Sequence, residues 1–351
     1  MTKRSPVSVH PRKLTDLLQI PFDTDYRTGA HNAIDICLAL QPGERFLLIT
    51  DEASLPIAAS LIHEVEKKGN PQQIFILEDF GLRPMTKMPK EILRAFAHSD
   101  VTVYACHTLE GELSHRIEMM GAINHYKPRH GHMVNINHQI MTEGMQADFH
   151  EVDSLSQRVL ALAKEARTIT AKTKHGTEIQ ATLDPRLKWL KTSGIISREK
   201  WGNLPGGEIF TSPENLNGVF IVDGVVGDYL CHKYGDVQAQ PIRIEIENSR
   251  IRHCESENKE LLHDFVEYCM TDENSNRVGE FAIGTNIALK KLIGHILQDE
   301  KFPGIHIAFG HPYSEHTGAT WRSSTHIDVV GRDFDIWIED RQIMREGKFT
   351  I

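Results

Sequence analysis

The chain has 351 residues, with 39 Lys and Arg against 48 Asp and Glu and a net charge of -9. That length predicts two domains and a core large enough to need no disulfide staples. The acidic balance and the lack of any Lys/Arg run argue against a nucleic-acid partner, and no run of ~18 apolar residues is present to span a membrane.

The first thirteen residues, MTKRSPVSVHPRK, are basic but lead into no apolar run, so they do not read as a signal peptide. In the first half, strand and helix signals alternate. Glu44–Thr50 reads as a strand after the Pro42-Gly43 turn, and Ser54–Lys68 as a helix with Leu61, Ile62 and Val65 at helical spacing. Gln73–Glu78 reads as a strand, Pro89–His98 as a helix, Val101–Cys106 as a strand, Glu110–Met120 as a helix and His132–Ile136 as a strand. This order predicts a doubly wound parallel sheet. Neither GxGxxG nor GxxxxGK[ST] occurs where a nucleotide site would need it.

Ser154–Lys174 reads as a long helix leading from an N-terminal α/β domain (1–170) into a C-terminal α+β domain (171–351). Strand signals dominate the second half: Val219–Val226, Ile242–Glu247, Ile305–Gly310, His326–Val330 and Phe334–Glu339. Asn286–Gln298 reads as a helix, with Leu289, Leu292, Ile293, Ile296 and Leu297 as its apolar stripe and Thr285 or Asn286 as its cap. The five cysteines are widely spaced and form no CxxC, which points to free thiols in a reducing cytoplasm.

The chemistry-bearing signals lie between Glu208 and Asp328. In Thr325-His326-Ile327-Asp328-Val329, residues two apart share a strand face, so His326 and Asp328 project together. An imidazole beside a carboxylate is a usable pair of metal ligands; taken alone, it is also a hydrogen-bonded pair on a sheet face. His306 lies beside the small Ala308, opposite Ile305, Ile307 and Phe309, and needs a partner if buried. Glu208 follows the tight Pro205-Gly206-Gly207 loop, and Glu280 sits among Val278, Gly279, Phe281 and Ala282. A carboxylate in such surroundings is paired, protonated or on a metal. Together the five make a candidate metal-binding C-terminal domain, with donors enough for two divalent ions that activate a water. Zinc, cobalt and manganese all suit such donors.

Four blocks, GNLPGGEIFTSP, VGEFAIGT, HIAFGHPY and THIDVV, occur in that order. They resemble the signature blocks of the aminopeptidase T family, the thermophilic-type leucyl metalloaminopeptidases. LQPGERFLLITDEASLPIAASLIHEV resembles that family's first domain. The resemblance implies metal ligands at Glu208, Glu280, His306, His326 and Asp328 and an active-site Tyr313 that donates a hydrogen bond to an oxyanion. One glutamate, taken as Glu280, would double as general base. A small-molecule or short-peptide substrate and a homodimer are also implied. The chain departs from the family in a short, polar segment between Tyr313 and His326, which puts substrate identity in doubt before metal binding.

A competing reading is a mononuclear iron(II) dioxygenase. His306, His326 and Asp328 alone form a two-histidine, one-carboxylate set, as in relatives resembling 2,5-dihydroxypyridine ring-cleaving dioxygenases. Glu208 and Glu280 are the features that favour the hydrolase. His125, His130, His132 and His138 fit no zinc-module spacing and are expected to be structural, in a loop or domain-interface element; His311 and His316 fit no ligand pattern.

Overall fold

The computed structural model describes Arg12 and residues 14–351, so almost all of the basic amino-terminal segment lies outside the described residues. The chain forms two units. Residues 147–193 and 206–351 make the second; the remainder, including the return segment 194–205, makes the first. The expected division at 170 gives way to one near 146, because the Phe149–Glu165 helix buries Leu155, Val159, Leu160 and Ala163 in the core of the second unit.

The first unit holds a five-stranded, all-parallel sheet in the order Gln72–Ile76, Phe46–Thr50, Val101–Ala105, Arg129–His132, Gly202–Asn203. In chain order this is 2-1-3-4-5, a doubly wound arrangement. Between the first two strands, the Leu55–Lys67 helix starts with Pro56 in its first turn and buries Ile57, Leu61, Ile62 and Val65. In such sheets ligands gather at the carboxyl ends of the strands. Here the buried Asp51, just past the first strand, is taken up by Arg83, which donates to Asp51 Oδ2 at 2.7 Å and to Glu112 Oε2 at 2.5 Å.

The second unit holds two antiparallel sheets. The larger runs Arg250–Glu255, Ile242–Glu247, Asn215–Val222, Glu178–Thr182, Thr168–Thr173, Phe334–Ile338, Arg341–Arg345, Lys348–Phe349. The smaller runs His326–Val330, Gly304–Gly310, Val278–Gly284, Glu208–Thr211, Leu190–Lys191. Their shared core includes Ile209, Phe281, Ile283, Ile307, Phe309, Ile327 and Val329 from the smaller sheet.

Several sequence expectations are corrected. The helix expected over Ser154–Lys174 ends at Glu165, and Thr168–Thr173 is a strand. Its β-branched Thr168, Ile169 and Thr170 favour extended backbone, and Ile169 and Ala171 alternate inward. The strand expected over His132–Ile136 lies earlier, at Arg129–His132, and the helix over Glu110–Met120 runs instead from Leu113 to Tyr126. The helix expected over Asn286–Gln298 is a loop ending in one turn, Ile296–Asp299. Gly294 sits at φ +78, and the Asp299 carboxylate accepts from the amides of Ile293, Gly294 and His295. A side chain has captured the N–H groups that a helix would pair internally. No helix follows for Thr285 or Asn286 to cap: Thr285 bonds Ser156, and the Asn286 side chain donates to Gly206 O and accepts from the Ala288 amide. The Lys259–Cys269 helix was not foreseen.

Candidate metal centre

The smaller sheet of the second unit builds the site. Alternation sends Ile305, Ile307 and Phe309 into the core and leaves His306 and Ala308 on the opposite face. Register then aligns Glu280, Ala308 and Asp328 in one row across three strands. The next rows carry His306 against Ala282, and Gly310 against His326. A bulge between Val278 and Glu280 skips Gly279 and keeps Glu280 on this face. Glu208 pairs with Gly284 at the far side. The residues between the donors are small (Ala282, Ala308, Gly284, Gly310), which leaves room for the long side chains to converge.

All five expected ligands meet. His306 Nε2 lies 3.3 Å from Glu280 Oε1 and 3.6 Å from Glu208 Oε2. His326 Nε2 lies 3.3 Å from Asp328 Oδ1 and 3.7 Å from Glu280 Oε2. Glu280 therefore reaches both imidazoles, one with each oxygen. The Nδ1 of His326 lies 2.9 Å from the His311 carbonyl; a proton donated there leaves Nε2 as the lone pair facing the carboxylates. Thr192 donates to Glu208 Oε1 at 2.7 Å.

The fold adds two residues that sequence reasoning missed, Glu300 and Lys301. Lys301 is 1% exposed, and its Nζ donates to Glu208 Oε1 at 2.8 Å and Glu300 Oε1 at 2.5 Å. Their local cue is slight: an acidic-basic pair just before the Phe302-Pro303-Gly304 turn into the His306 strand. Tyr313, at φ +48, stands beside the cluster with its ring 4.7 Å from that of His326. Burial first, then Glu280 and Asp328, raise its phenol well above the ordinary range, so it stays a donor.

The electrostatics are those of an anion-rich pocket. Burial opposes charge at His326, yet Asp328 and Glu280 outweigh it and hold its pKa at about 10. His306 is raised for the same reason by Glu280 and Glu208. Asp328 falls to about 2 against its burial, chiefly through His326. Burial, reinforced by Glu208 and Asp328 and opposed by Lys301, pushes Glu300 up to about 8. Glu208, Glu280 and Asp328 thus draw protons onto two imidazoles. A divalent cation would supply that positive charge and leave the imidazoles neutral, as ligands must be.

The donor atoms fit such an ion. Three sets, Glu208–Glu280–His306, Glu280–His326–Asp328 and Glu300–His306–Asp328, each bring one ligand atom per residue within 4.8 Å of the others. Oxygen-rich donors with two imidazoles are the chemistry of a catalytic divalent metal. Another set among the described residues, His31, Asp35 and Glu64, lies in the first unit, where Lys68 and Lys67 already engage its carboxylates. The other histidines do not join the cluster. His130 and His132 form a buried pair 3.2 Å apart on the Arg129–His132 strand, and burial lowers both, His132 to about 3. His316 is exposed, and His311 Nδ1 accepts the Tyr313 amide.

Known proteins bear on this geometry. A sequence profile described as thermophilic metalloprotease (M29) matches residues 133–349. No curated protein matches the chain. Wild-type AmpT from Thermus thermophilus superimposes with a TM-score of 0.68 at 17% identity, covering 93% of this chain and 99% of that one. The 2,5-dihydroxypyridine dioxygenase from Pseudomonas putida KT2440 superimposes with a TM-score of 0.67 at 15% identity, covering 97% of this chain and 98% of that one. At those identities the two structures establish the fold alone. The family match spans most of the chain and every residue of the cluster, so the chain belongs to the thermophilic metalloprotease (M29) family and is a metallopeptidase.

Proposed function

We propose that the chain is a metal-dependent aminopeptidase acting on short peptides or small aminoacyl amides. The observation that carries this reading is the cluster of buried Glu208, Glu280, His306 and Asp328 with half-buried His326, in a chain of a metalloprotease family. Two of the donor sets share Glu280, an arrangement suited to two divalent ions, with zinc, cobalt and manganese as the candidates. Bound there, the metal would polarise the scissile carbonyl and lower the pKa of the attacking water. Glu280, central in the cluster, is assigned the proton of that water. The Tyr313 hydroxyl is assigned to the oxyanion, where one positioned donor contributes roughly 10²–10³ in rate. The five cysteines are free thiols, which fits the cytoplasm, and the functional form is taken to be a homodimer.

Hydrolysis of leucyl and other aminoacyl p-nitroanilides by the metal-loaded protein, lost in Glu280→Gln and reduced ~10²-fold or more in Tyr313→Phe, is the expected result. No turnover of any aminoacyl anilide or dipeptide with zinc, cobalt or manganese would sink the proposal.

One observation favours a second reading. Lys301 already engages Glu208 and Glu300, which leaves Glu280, His306, His326 and Asp328 for a single ion, and two histidines with one carboxylate suit iron(II). The Pseudomonas putida neighbour is a dioxygenase for 2,5-dihydroxypyridine. Oxygen uptake with dihydroxylated pyridines by the iron-loaded protein, together with no peptidase activity, would select this reading.

A further inference from the structure

The three donor sets are not equivalent. Lys301 Nζ donates to Glu208 Oε1 and Glu300 Oε1, and each of these glutamates belongs to a different set. The remaining set, Glu280–His326–Asp328, contains neither carboxylate that Lys301 holds. The Lys301 side chain is 1% exposed, so its ammonium has no low-cost route to water. A divalent ion approaching Glu208 must therefore share a carboxylate with a fixed positive charge. An ion approaching Glu280, His326 and Asp328 meets no such competitor.

We infer that Lys301 is a built-in cation that makes the two metal positions unequal. One ion binds tightly at Glu280–His326–Asp328, and the Glu208–His306 position fills only at high free metal. The inference rests on reading this cluster as the metal centre, and it goes beyond that reading by assigning occupancy to one side chain. Lys301 is a positioning residue here: it touches neither substrate nor the reacting atoms, and it acts through Glu208 and Glu300.

The test counts ions and needs no turnover. Full-length wild type, Lys301→Met and Lys301→Gln are stripped with chelator and titrated with cobalt(II), following visible absorption. Each is then dialysed against low free cobalt and analysed for metal per chain. Wild type is expected to retain one ion and to show a second, separate absorption step at least ~10-fold weaker. Both variants are expected to retain two, with the weak step moved toward the strong one. Lys301→Gln keeps a hydrogen-bond donor for Glu208 without the charge, and guards against misfolding of the methionine variant. Two equally tight ions in wild type overturn the inference, as do folded variants that still retain one. Wild type that binds no cobalt overturns the metal-centre reading itself, a failure distinct from an unchanged variant.

Discussion

Replacing Asp299 by alanine tests the account of how Glu300 and Lys301 reach the cluster. Asp299 is 1% exposed. Its Oδ2 accepts from the amides of Gly294 at 2.8 Å and His295 at 3.1 Å, and its Oδ1 from Ile293 at 2.9 Å. Hydrogen bonds to a charged group contribute ~1.5–3 kcal/mol each, so three would total ~4–9 kcal/mol in a dry site. Ile293, Gly294 and His295 are only half-buried, and water recovers part of that, which leaves about 3 kcal/mol. With a urea slope of ~3 kcal/mol/M, the unfolding midpoint should fall by about 1 M. Asp299→Asn, which keeps an acceptor without the charge, should fall by less. Because Glu300 and Lys301 follow directly, the alanine variant should also loosen Lys301 from Glu208 and retain more cobalt at low free metal than wild type does. A midpoint within ~0.2 M of wild type, with cobalt retention unchanged, would refute the claim that this carboxylate organises the loop.

Other outcomes follow from the same reasoning. Arg83→Met leaves Asp51 and Glu112 buried without their cation and should cost about 3–5 kcal/mol in urea unfolding. His107, Ser54 and Arg83 outweigh burial and hold Asp51 below the usual carboxylate range. A depressed folded pKa adds stability that is present above pH ~4 and lost as pH falls. The acid limb of the wild-type stability curve should therefore be steeper than that of Arg83→Met, and equal slopes between pH ~3 and 7 would count against this role. Gly310→Ala meets a φ of +106 and places a Cβ 2.3 Å from the Thr325 carbonyl, so a loss of about 3 kcal/mol is expected. Chelation should lower the melting temperature: free metal at ~100 times its dissociation constant adds ~2.7 kcal/mol, or about 5–10 °C for a unit of this size. An unchanged melting curve after chelation would argue against a resident ion.

Much of the site was legible because strands write their faces into sequence with a period of two. His306, His326 and Asp328 could be placed on faces before any pairing was known. Glu208 and Glu280 stood out because carboxylates in apolar surroundings need a partner. The alternation of strand and helix signals in the first half carried the parallel sheet in the same way.

Tertiary structure decided what depends on partners distant in the chain. Sequence could offer Glu280 as a ligand, but only the row Glu280–Ala308–Asp328 and the bulge at Gly279 put it between both imidazoles. The apolar spacing of 286–298 is compatible with a helix. It is not one, because Asp299 and the left-handed Gly294 divert the amides that a helix requires. That loop brings Lys301 to Glu208, 93 residues away in sequence, and no local pattern marks a lysine whose partner lies so far along the chain. Periodicity reports which way a side chain faces; what it meets there is set by long-range register and loop capture, which local propensity does not encode.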